Sequence, residues 1–258
     1  MPLARADLES LLRTRQLDRT LTTALPPPAG SRDEYVIAPT GITALDARLG
    51  GGFPRGQLSE VVGARSSGRT SVLLRAMAAA TARGELVALI DVLDMFDVES
   101  AASAGIELDR LLWVRGHVVS NPGMCRDLNQ RALEQAIRAF TLVLQAGNFG
   151  LVVFDAAEAP ADAVRRLPFT TWMRLQRIIE GSQTACVLVA GEPMARSSAG
   201  LTLRLAGSRG EGVGSSSAQG AGRRFRNLLF DGLDFEARVV RARAREREEG
   251  RVALSTTA

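Results

Sequence analysis

The sequence predicts an α/β fold with a mainly parallel central sheet, helices on both faces, and antiparallel strands added at the C-terminal side. Strand-like and helix-like segments alternate from Tyr35 onward, a pattern typical of parallel strands joined by helical crossovers. A loop bounded by glycines, Gly63 to Thr70, follows an apolar strand candidate and opens a helix candidate. The last third carries short alternating runs that favour an antiparallel extension.

The composition is that of an ordinary globular protein. The 258 residues are 46% hydrophobic and 23% charged, which suits one main domain with short appendages. No stretch approaches the roughly 20 apolar residues that cross a bilayer, and the first residues lack the pattern of a secretion signal. We therefore expect a cytoplasmic protein. All 32 basic side chains are arginine, and the net charge of +4 is too small to indicate a nucleic-acid binder by itself.

Cysteine and histidine are scarce. Cys125 and Cys186 lack metal-ligand spacing and lie in apolar segments, where a thiol behaves as a small hydrophobic group. His117 is the only histidine, which argues against a multi-histidine metal site or a histidine-centred triad. We expect no metal site built from these residues.

Three parts follow one another along the chain. Residues 1–34 carry a leucine-bearing helix pattern and a proline-rich linker, an arm able to reach a neighbouring molecule. Residues 35–240 form the predicted core, within which 206–222 is a Gly/Ser-rich stretch expected to be a flexible loop. Residues 241–258 are dense in Arg and Glu, so the tail is either a solvated end or a segment that binds a partner.

Within the core, apolar runs and helical stripes alternate in chain order. The predicted parallel strands are 58–62, 86–91, 111–114, 151–155 and 184–190, and the predicted helices are 71–83, 98–104, one through 133–144, and 169–180. The predicted antiparallel strands are 201–205, 226–230 and 235–240.

The loop fits the phosphate-binding pattern G-x-x-x-x-G-K-[ST] at every position but one. Glycines let backbone N–H groups turn toward phosphate oxygens, and the start of the following helix adds attraction for an anion. In such loops a lysine reaches the terminal phosphates and the last hydroxyl holds magnesium. The candidate phosphate-binding residues are Gly63, Ser66, Ser67, Gly68, Arg69 and Thr70.

Arg69 stands where the pattern has lysine. Its planar guanidinium is larger than an ammonium and spreads its charge differently. Either the general preference of this chain for arginine replaced the lysine with function retained, or the site is impaired, and the crowding at a phosphate favours impairment. We expect weak binding of ATP or ADP with magnesium at most.

Carboxylates end two of the predicted strands. Asp155 follows an apolar run, a position from which an acid reaches a loop-bound magnesium through water, although a strand-end cap is the alternative. Asp91, Asp94 and Asp97 follow another strand, where a general base would be sought.

With these pieces in order, the chain resembles RecA-type recombinases. Residues 39–56 look like the entry into the core of that family, and 102–112 look like the segment after its second core strand. The resemblance covers about Tyr35 to Val240.

The resemblance implies that several functional features of the family are absent from this sequence. It places the catalytic glutamate of the family at Leu93 and its phosphate-sensing glutamine near Glu192, where a carboxylate would repel phosphate. The mobile DNA-binding loops of the family would follow Asp155 and Glu192, where this sequence has only short connections.

The size, the short C-terminal ending and residues 228–238 resemble the ImuA group of RecA paralogues. Such proteins are encoded with a polymerase-like partner, ImuB, and an error-prone DnaE-type polymerase in damage-induced mutagenesis. The resemblance implies an accessory role in the DNA damage response and translesion synthesis, through binding to RecA or an ImuB-like partner. We expect regulation rather than catalysis.

Two other functions remain open. One is a working ATP-dependent recombinase or recombination mediator with a divergent loop. The other is a single-stranded DNA-binding module on Arg223, Arg224, Phe225 and Arg226, where guanidinium groups would meet phosphates and the ring a base, although a solvated loop end has the same composition.

Overall fold

The structure is a computed structural model that describes residues 37–117, 126–207, 233–242 and 251–256. The chain divides into two units, Met1–Tyr35 and Val36–Ala258, and every described residue belongs to the second. The predicted arm over 1–34, Cys125, and the cluster Arg223, Arg224, Phe225 and Arg226 lie outside the described residues, as does most of the predicted loop over 206–222.

The two short strands β1, Ile37–Ala38, and β2, Phe53–Pro54, form an antiparallel pair. A separate central sheet has eight strands: β3 Leu58–Gly63, β4 Val87–Asp91, β5 Leu111–Arg115, β6 Leu151–Asp155, β7 Ala185–Ala190, β8 Leu201–Gly207, β9 Leu233–Ala242 and β10 Arg251–Thr256. Their order across the sheet is β10-β9-β8-β3-β7-β6-β4-β5. The strands β3 to β8 pair in parallel, whereas β8 with β9 and β9 with β10 pair antiparallel.

Helices cover both faces of this sheet, which confirms the predicted fold class. The helices are α1 Thr43–Leu49, α2 Arg69–Ala82, α3 Val98–Ser103, α4 Arg126–Ala146, α5 Ala161–Arg165 and α6 Phe169–Ile179. One hydrophobic cluster joins the sheet to α4 and α6, and the other joins it to α1 and α2. None of these described helices combines the length and apolar character that crossing a membrane needs.

Aromatic rings anchor the first cluster. Phe154 of β6 lies 5.1 Å from the Phe140 ring of α4 and 6.2 Å from the Trp172 ring of α6, measured between centroids. All three side chains are fully buried, and burial of one such group stabilises a fold by about 1.5–3 kcal/mol. These contacts hold β6 firmly, and so fix the position at which Asp155 ends it.

The C-terminal part differs from the prediction. The tail expected over 241–258 contains β10, which pairs antiparallel with β9 from Arg251↔Arg238 to Thr256↔Leu233. The alternating run in 251–256 hydrogen-bonds to the edge of β9 that would otherwise be unpaired. The prediction missed this short strand because the residues before it are densely charged. In addition, β8 extends to Gly207 and takes the first two residues of the predicted loop over 206–222.

Candidate functional site

The predicted phosphate loop lies between β3 and α2, as the sequence pattern requires. Strand β3 ends at Gly63 and α2 begins at Arg69, so the loop stands at the carboxyl edge of the parallel strands. Gly68 has a φ of 87°, and Ser66 has a φ of 57°, which is uncommon for a residue other than glycine. The backbone therefore makes the tight turn that a phosphate cradle needs.

Both glycines of the loop are required by close packing. A Cβ at Gly63 would overlap the Ser67 hydroxyl and lie 2.5 Å from the Leu205 carbonyl oxygen. A Cβ at Gly68 would lie 2.6 Å from the Phe235 ring of β9. The antiparallel strands β8 and β9 thus pack against the phosphate loop and fix its turn. The sequence did not predict this role of Phe235, because the contact joins residues that are distant in the chain.

The side chain of Arg69 extends toward the turn after β6. Its Nη1 donates to the Ala157 carbonyl at 3.2 Å, and its Nη2 lies 3.5 Å from Oε1 of Glu158. The side chain is only 6% exposed, and this burial lowers the pKa of Arg69, although the charge of Glu158 opposes the shift. The guanidinium is therefore already partnered within the protein.

Glu158 is a site residue that the sequence prediction missed. Its Oε2 forms an ion pair with Arg65, whose side chain is exposed, while its Oε1 faces Arg69. The available signal was its position three residues after Asp155, at the carboxyl edge of the sheet where the phosphate loop also lies.

Two hydroxyl groups of the loop differ in their surroundings. Ser67 is 2% exposed and its Oγ has no hydrogen-bond partner, a situation that costs about 1–3 kcal/mol unless a ligand or water supplies one. Thr70 is exposed and lines a cavity of about 260 Å³ together with Asp155 and Glu158. The orphaned Ser67 hydroxyl and the backbone turn fit a phosphate group, whereas the engaged Arg69 side chain fits it poorly.

Asp155 ends β6, the strand at whose end the sequence places it. Its Oδ1 accepts a hydrogen bond from the Ala157 backbone N–H at 2.9 Å, which caps the turn after β6. Burial raises the pKa of Asp155 to about 6, and the nearby Asp91 adds to the rise. The carboxylate also lines the same cavity as Thr70, so these two residues are the ones that would share a magnesium ion.

The acids at the end of β4 and in the loop after it accept hydrogen bonds from that loop, from β5 and from α3. Asp91 is buried and accepts hydrogen bonds from the backbone N–H groups of Met95 and Phe96, at 3.0 and 2.8 Å, and from Trp113 Nε1 at 3.3 Å. The hydrogen bond from Arg115 lowers the pKa of Asp94, and that from Ser100 lowers the pKa of Asp97. Asp91 and Asp97 also line the cavity beside Thr70, whereas Asp94 pairs with Arg115 of β5.

The structure separates the two altered positions that the resemblance identified. Leu93 is 5% exposed, packs in the hydrophobic cluster of α4, and lines the cavity beside Thr70 without offering a proton acceptor. Glu192 is exposed, pairs with Arg165 at 2.7 Å, and lines a different cavity. Leu93 therefore belongs to the candidate site, and Glu192 lies apart from it.

Cys186 lies near the start of β7. Cys186 is a free and buried thiol, and burial raises its pKa, as expected of a small hydrophobic group. Within the described ranges no group of His, Cys, Asp and Glu is arranged to hold a metal ion. Short connections follow β6 and β7, over 156–160 and 191–200.

Comparison with known proteins gives matches over the core. Residues 29–164 match the RecA N-terminal domain. The RecA protein of Clavibacter michiganensis subsp. michiganensis is 37% identical over 159 residues, which cover 60% of this chain and 40% of that protein. The RecA protein of Mycobacterium marinum is 40% identical over 129 residues, covering 50% of this chain and 33% of that protein. The match thus spans less than half the length of these relatives.

A solved structure agrees in fold. The crystal structure of the RadB recombinase superposes with a TM-score of 0.53 at 19% identity, covering 84% of this chain and 94% of that one. At this identity the likeness concerns the fold alone. Because the RecA N-terminal domain matches more than half of the sequence, the chain belongs to the RecA family.

Proposed function

We propose that this protein is an accessory member of the RecA family in the DNA damage response and translesion synthesis, and that it does not hydrolyse ATP. It acts by binding RecA, an ImuB-like polymerase-family partner, or both. The observation that carries the proposal is that Arg69 of the phosphate loop is engaged by Ala157 and Glu158. In addition, Leu93 stands where the resemblance places the catalytic glutamate, and its side chain offers no proton acceptor.

Hydrolysis of a nucleoside triphosphate needs a cation on the terminal phosphates and a group that positions the attacking water. Arg69 would have to leave its two partners to serve as that cation. No proton acceptor stands at Leu93, and Asp91 has its oxygens occupied by the adjacent loop. Two independent losses support a scaffold rather than an enzyme.

Weak nucleotide binding is compatible with this function. The backbone turn of the loop, the Ser67 hydroxyl and the start of α2 would hold phosphate, and Thr70 with Asp155 would hold magnesium. A bound nucleotide would raise the stability of the folded protein, and these residues would bind and orient the nucleotide without hydrolysing it.

The partners follow from the resemblance of residues 228–238 and of the overall size to the ImuA group. The arm over 1–34 is proposed to contact a neighbouring molecule, including a second copy of this chain. The charged residues between β9 and β10, over 243–250, are proposed to bind a partner protein. Because β10 pairs with β9, deletion of the entire tail would also remove a strand.

A hydrolysis assay tests the enzymatic half of the proposal. The purified protein is given ATP with and without single-stranded DNA, with a RecA protein as the positive control and Thr70→Ala as the background. The expected rate equals that of Thr70→Ala under both conditions. A DNA-stimulated rate that Thr70→Ala abolishes would overturn the proposal.

Co-purification tests the binding half. The full chain, a version lacking residues 1–34, and a triple variant Arg243→Ser, Arg245→Ser, Arg247→Ser are each mixed with RecA and with the ImuB-like partner. We expect at least one partner to be retained by the full chain and lost by one of the two altered versions. Retention of neither partner by the full chain contradicts the accessory role.

A working ATP-dependent recombinase is the second candidate. The intact strand–loop–helix geometry and the shared cavity of Thr70 and Asp155 favour it. It requires Arg69 to move onto a nucleotide and another acid to replace the base, and the hydrolysis assay separates it from the first proposal. The single-stranded DNA-binding role of Arg223, Arg224, Phe225 and Arg226 lies outside the described residues and is tested by the salt dependence of DNA affinity.

A further inference from the structure

Glu158 is the meeting point of the two arginines of the phosphate loop. Its Oε2 pairs with Nη2 of Arg65, and its Oε1 lies 3.5 Å from Nη2 of Arg69. Arg69 also contacts Ala157, the residue before Glu158, because its Nη1 donates a hydrogen bond to the Ala157 carbonyl. The turn between β6 and α5 therefore contacts the phosphate loop through both Arg65 and Arg69.

The arrangement imitates the binding of an anion from solution. A carboxylate that gives one oxygen to each of two guanidinium groups makes the same kind of charged contact that phosphate oxygens make. Arg69 is only 6% exposed, and a buried cation requires a counter-charge close by. In this structure that counter-charge is Glu158, which is part of the protein.

The two contacts are unequal in weight. Arg65 is 82% exposed, and an ion pair so open to water contributes little. Arg69 is largely removed from water, so its attraction to Glu158 is screened less. The Ser67 hydroxyl meanwhile stays buried without a partner, so the cradle retains a donor that the internal carboxylate does not satisfy.

We propose that Glu158 is an internal anion that competes with phosphate for the arginines of the loop and so limits the affinity of the site for nucleotide. The inference rests on the proposed function, because it concerns what regulates that same site. A triphosphate entering the cradle must displace Glu158 or meet its negative charge in the shared cavity. Displacement would release the turn 156–160 from the loop and link nucleotide binding to that turn.

Replacement of Glu158 by glutamine tests the competition. Glutamine keeps the size of the side chain and an oxygen that accepts from Arg69, but it removes the negative charge. We expect the affinity for inorganic tripolyphosphate, and for a non-hydrolysable ATP analogue with magnesium, to rise about tenfold or more on titration calorimetry. The ligand-induced increase in melting temperature should grow in parallel.

Glu192→Gln is the matched control. Glu192 also pairs with one arginine, at 2.7 Å, but it lines a different cavity. The affinity of the Glu192→Gln variant for tripolyphosphate should equal that of the unaltered protein. An equal gain in affinity in both variants would mean that the change in net charge causes the effect, and it would overturn the inference. Unchanged affinity in Glu158→Gln, or no detectable binding by either the unaltered protein or Glu158→Gln, would also overturn it.

Glu158→Asp keeps the inference testable if the glutamine variant fails to fold. Aspartate retains the charge but is one methylene shorter, which weakens its contacts with the two arginines, so we expect an affinity above that of the unaltered protein. An affinity equal to that of the unaltered protein contradicts the competition. These titrations do not depend on turnover, so ATP hydrolysis by the unaltered protein would overturn the proposed function and leave this comparison standing.

Discussion

The phosphate loop and the loop after β4 lie at the same edge of the sheet and line the same cavity, but they differ in what they retain. The loop over 63–70 keeps its turn, its glycines and a buried hydroxyl. The loop over 91–97 carries three acids, of which Asp91 accepts backbone hydrogen bonds within the loop and Asp97 accepts one from Ser100 of α3. The turn of the first loop is fixed by its packing against Leu205 of β8 and Phe235 of β9, whereas the acids of the second loop are held by hydrogen bonds.

The largest expected effect comes from placing a glutamate at position 93, in the loop after β4. Leu93→Glu buries a carboxylate in the cluster beside α4 and should lower the free energy of unfolding by roughly 4 kcal/mol or more. We expect no gain in ATP hydrolysis, since Arg69 remains engaged. Urea unfolding and a hydrolysis assay measure the two outcomes.

Leu93→Met is the control for that change, because a swap that conserves volume costs less than about 1.5 kcal/mol. If Leu93→Glu were as stable as Leu93→Met and hydrolysed ATP, the loop after β4 would still be able to hold a base. The contrast between the two loops would then fail.

The next effect concerns the turn of the phosphate loop. Gly68→Ala places a Cβ 2.6 Å from the Phe235 ring at a φ of 87°, and should cost about 3 kcal/mol of unfolding free energy. Gly105→Ala is the matched control, because its φ is 88° and a Cβ there meets nothing within 4 Å. That control should cost only about 1 kcal/mol.

Urea unfolding of both glycine variants isolates the part of the cost that comes from Phe235. Equal losses in Gly68→Ala and Gly105→Ala would mean that β9 does not brace the loop. The idea that packing preserves its geometry would have to be abandoned.

The smallest effect is a pH dependence at Asp155. Its folded pKa of about 6 lies above the value of about 3.9 for an unfolded chain, so the folded state binds the proton more tightly. Stability should therefore fall as pH rises from about 4 to about 6, by at most about 3 kcal/mol, and this contribution is constant above that range. Asp155→Asn, which can still accept from Ala157, should lack it.

Melting curves of the unaltered protein and Asp155→Asn between pH 4 and pH 7.5 provide the measurement. The difference between the two proteins is the relevant quantity, since the acids with lowered pKa, Asp94 and Asp97, contribute in the opposite direction to both. Parallel curves would mean that Asp155 does not titrate in this window.

Much of the fold could be predicted from local patterns. The predicted parallel strands lie within one or two residues of β3 to β7. The apolar runs of β3, β4, β6 and β7 are buried on both faces of the sheet, whereas β5 lies at its edge and is more exposed. The prediction failed at β10, where the run 251–256 is too short and too close to charged residues to indicate a strand by itself. Its pairing depends on the open edge of β9, which no local pattern reveals.

The sequence alone determined the phosphate loop, its departure at Arg69, and the place of Asp155 at a strand end, because each depends on spacing along a few neighbouring residues. Only the tertiary structure decided what those residues do. Glu158 stands 89 positions from Arg69 in the chain, and Phe235 reaches Gly68 from β9, which is separated from β3 only by β8. The contact of Glu158 with Arg69 arises because parallel strands bring their carboxyl ends together, so the partner of Arg69 became visible only in the folded protein.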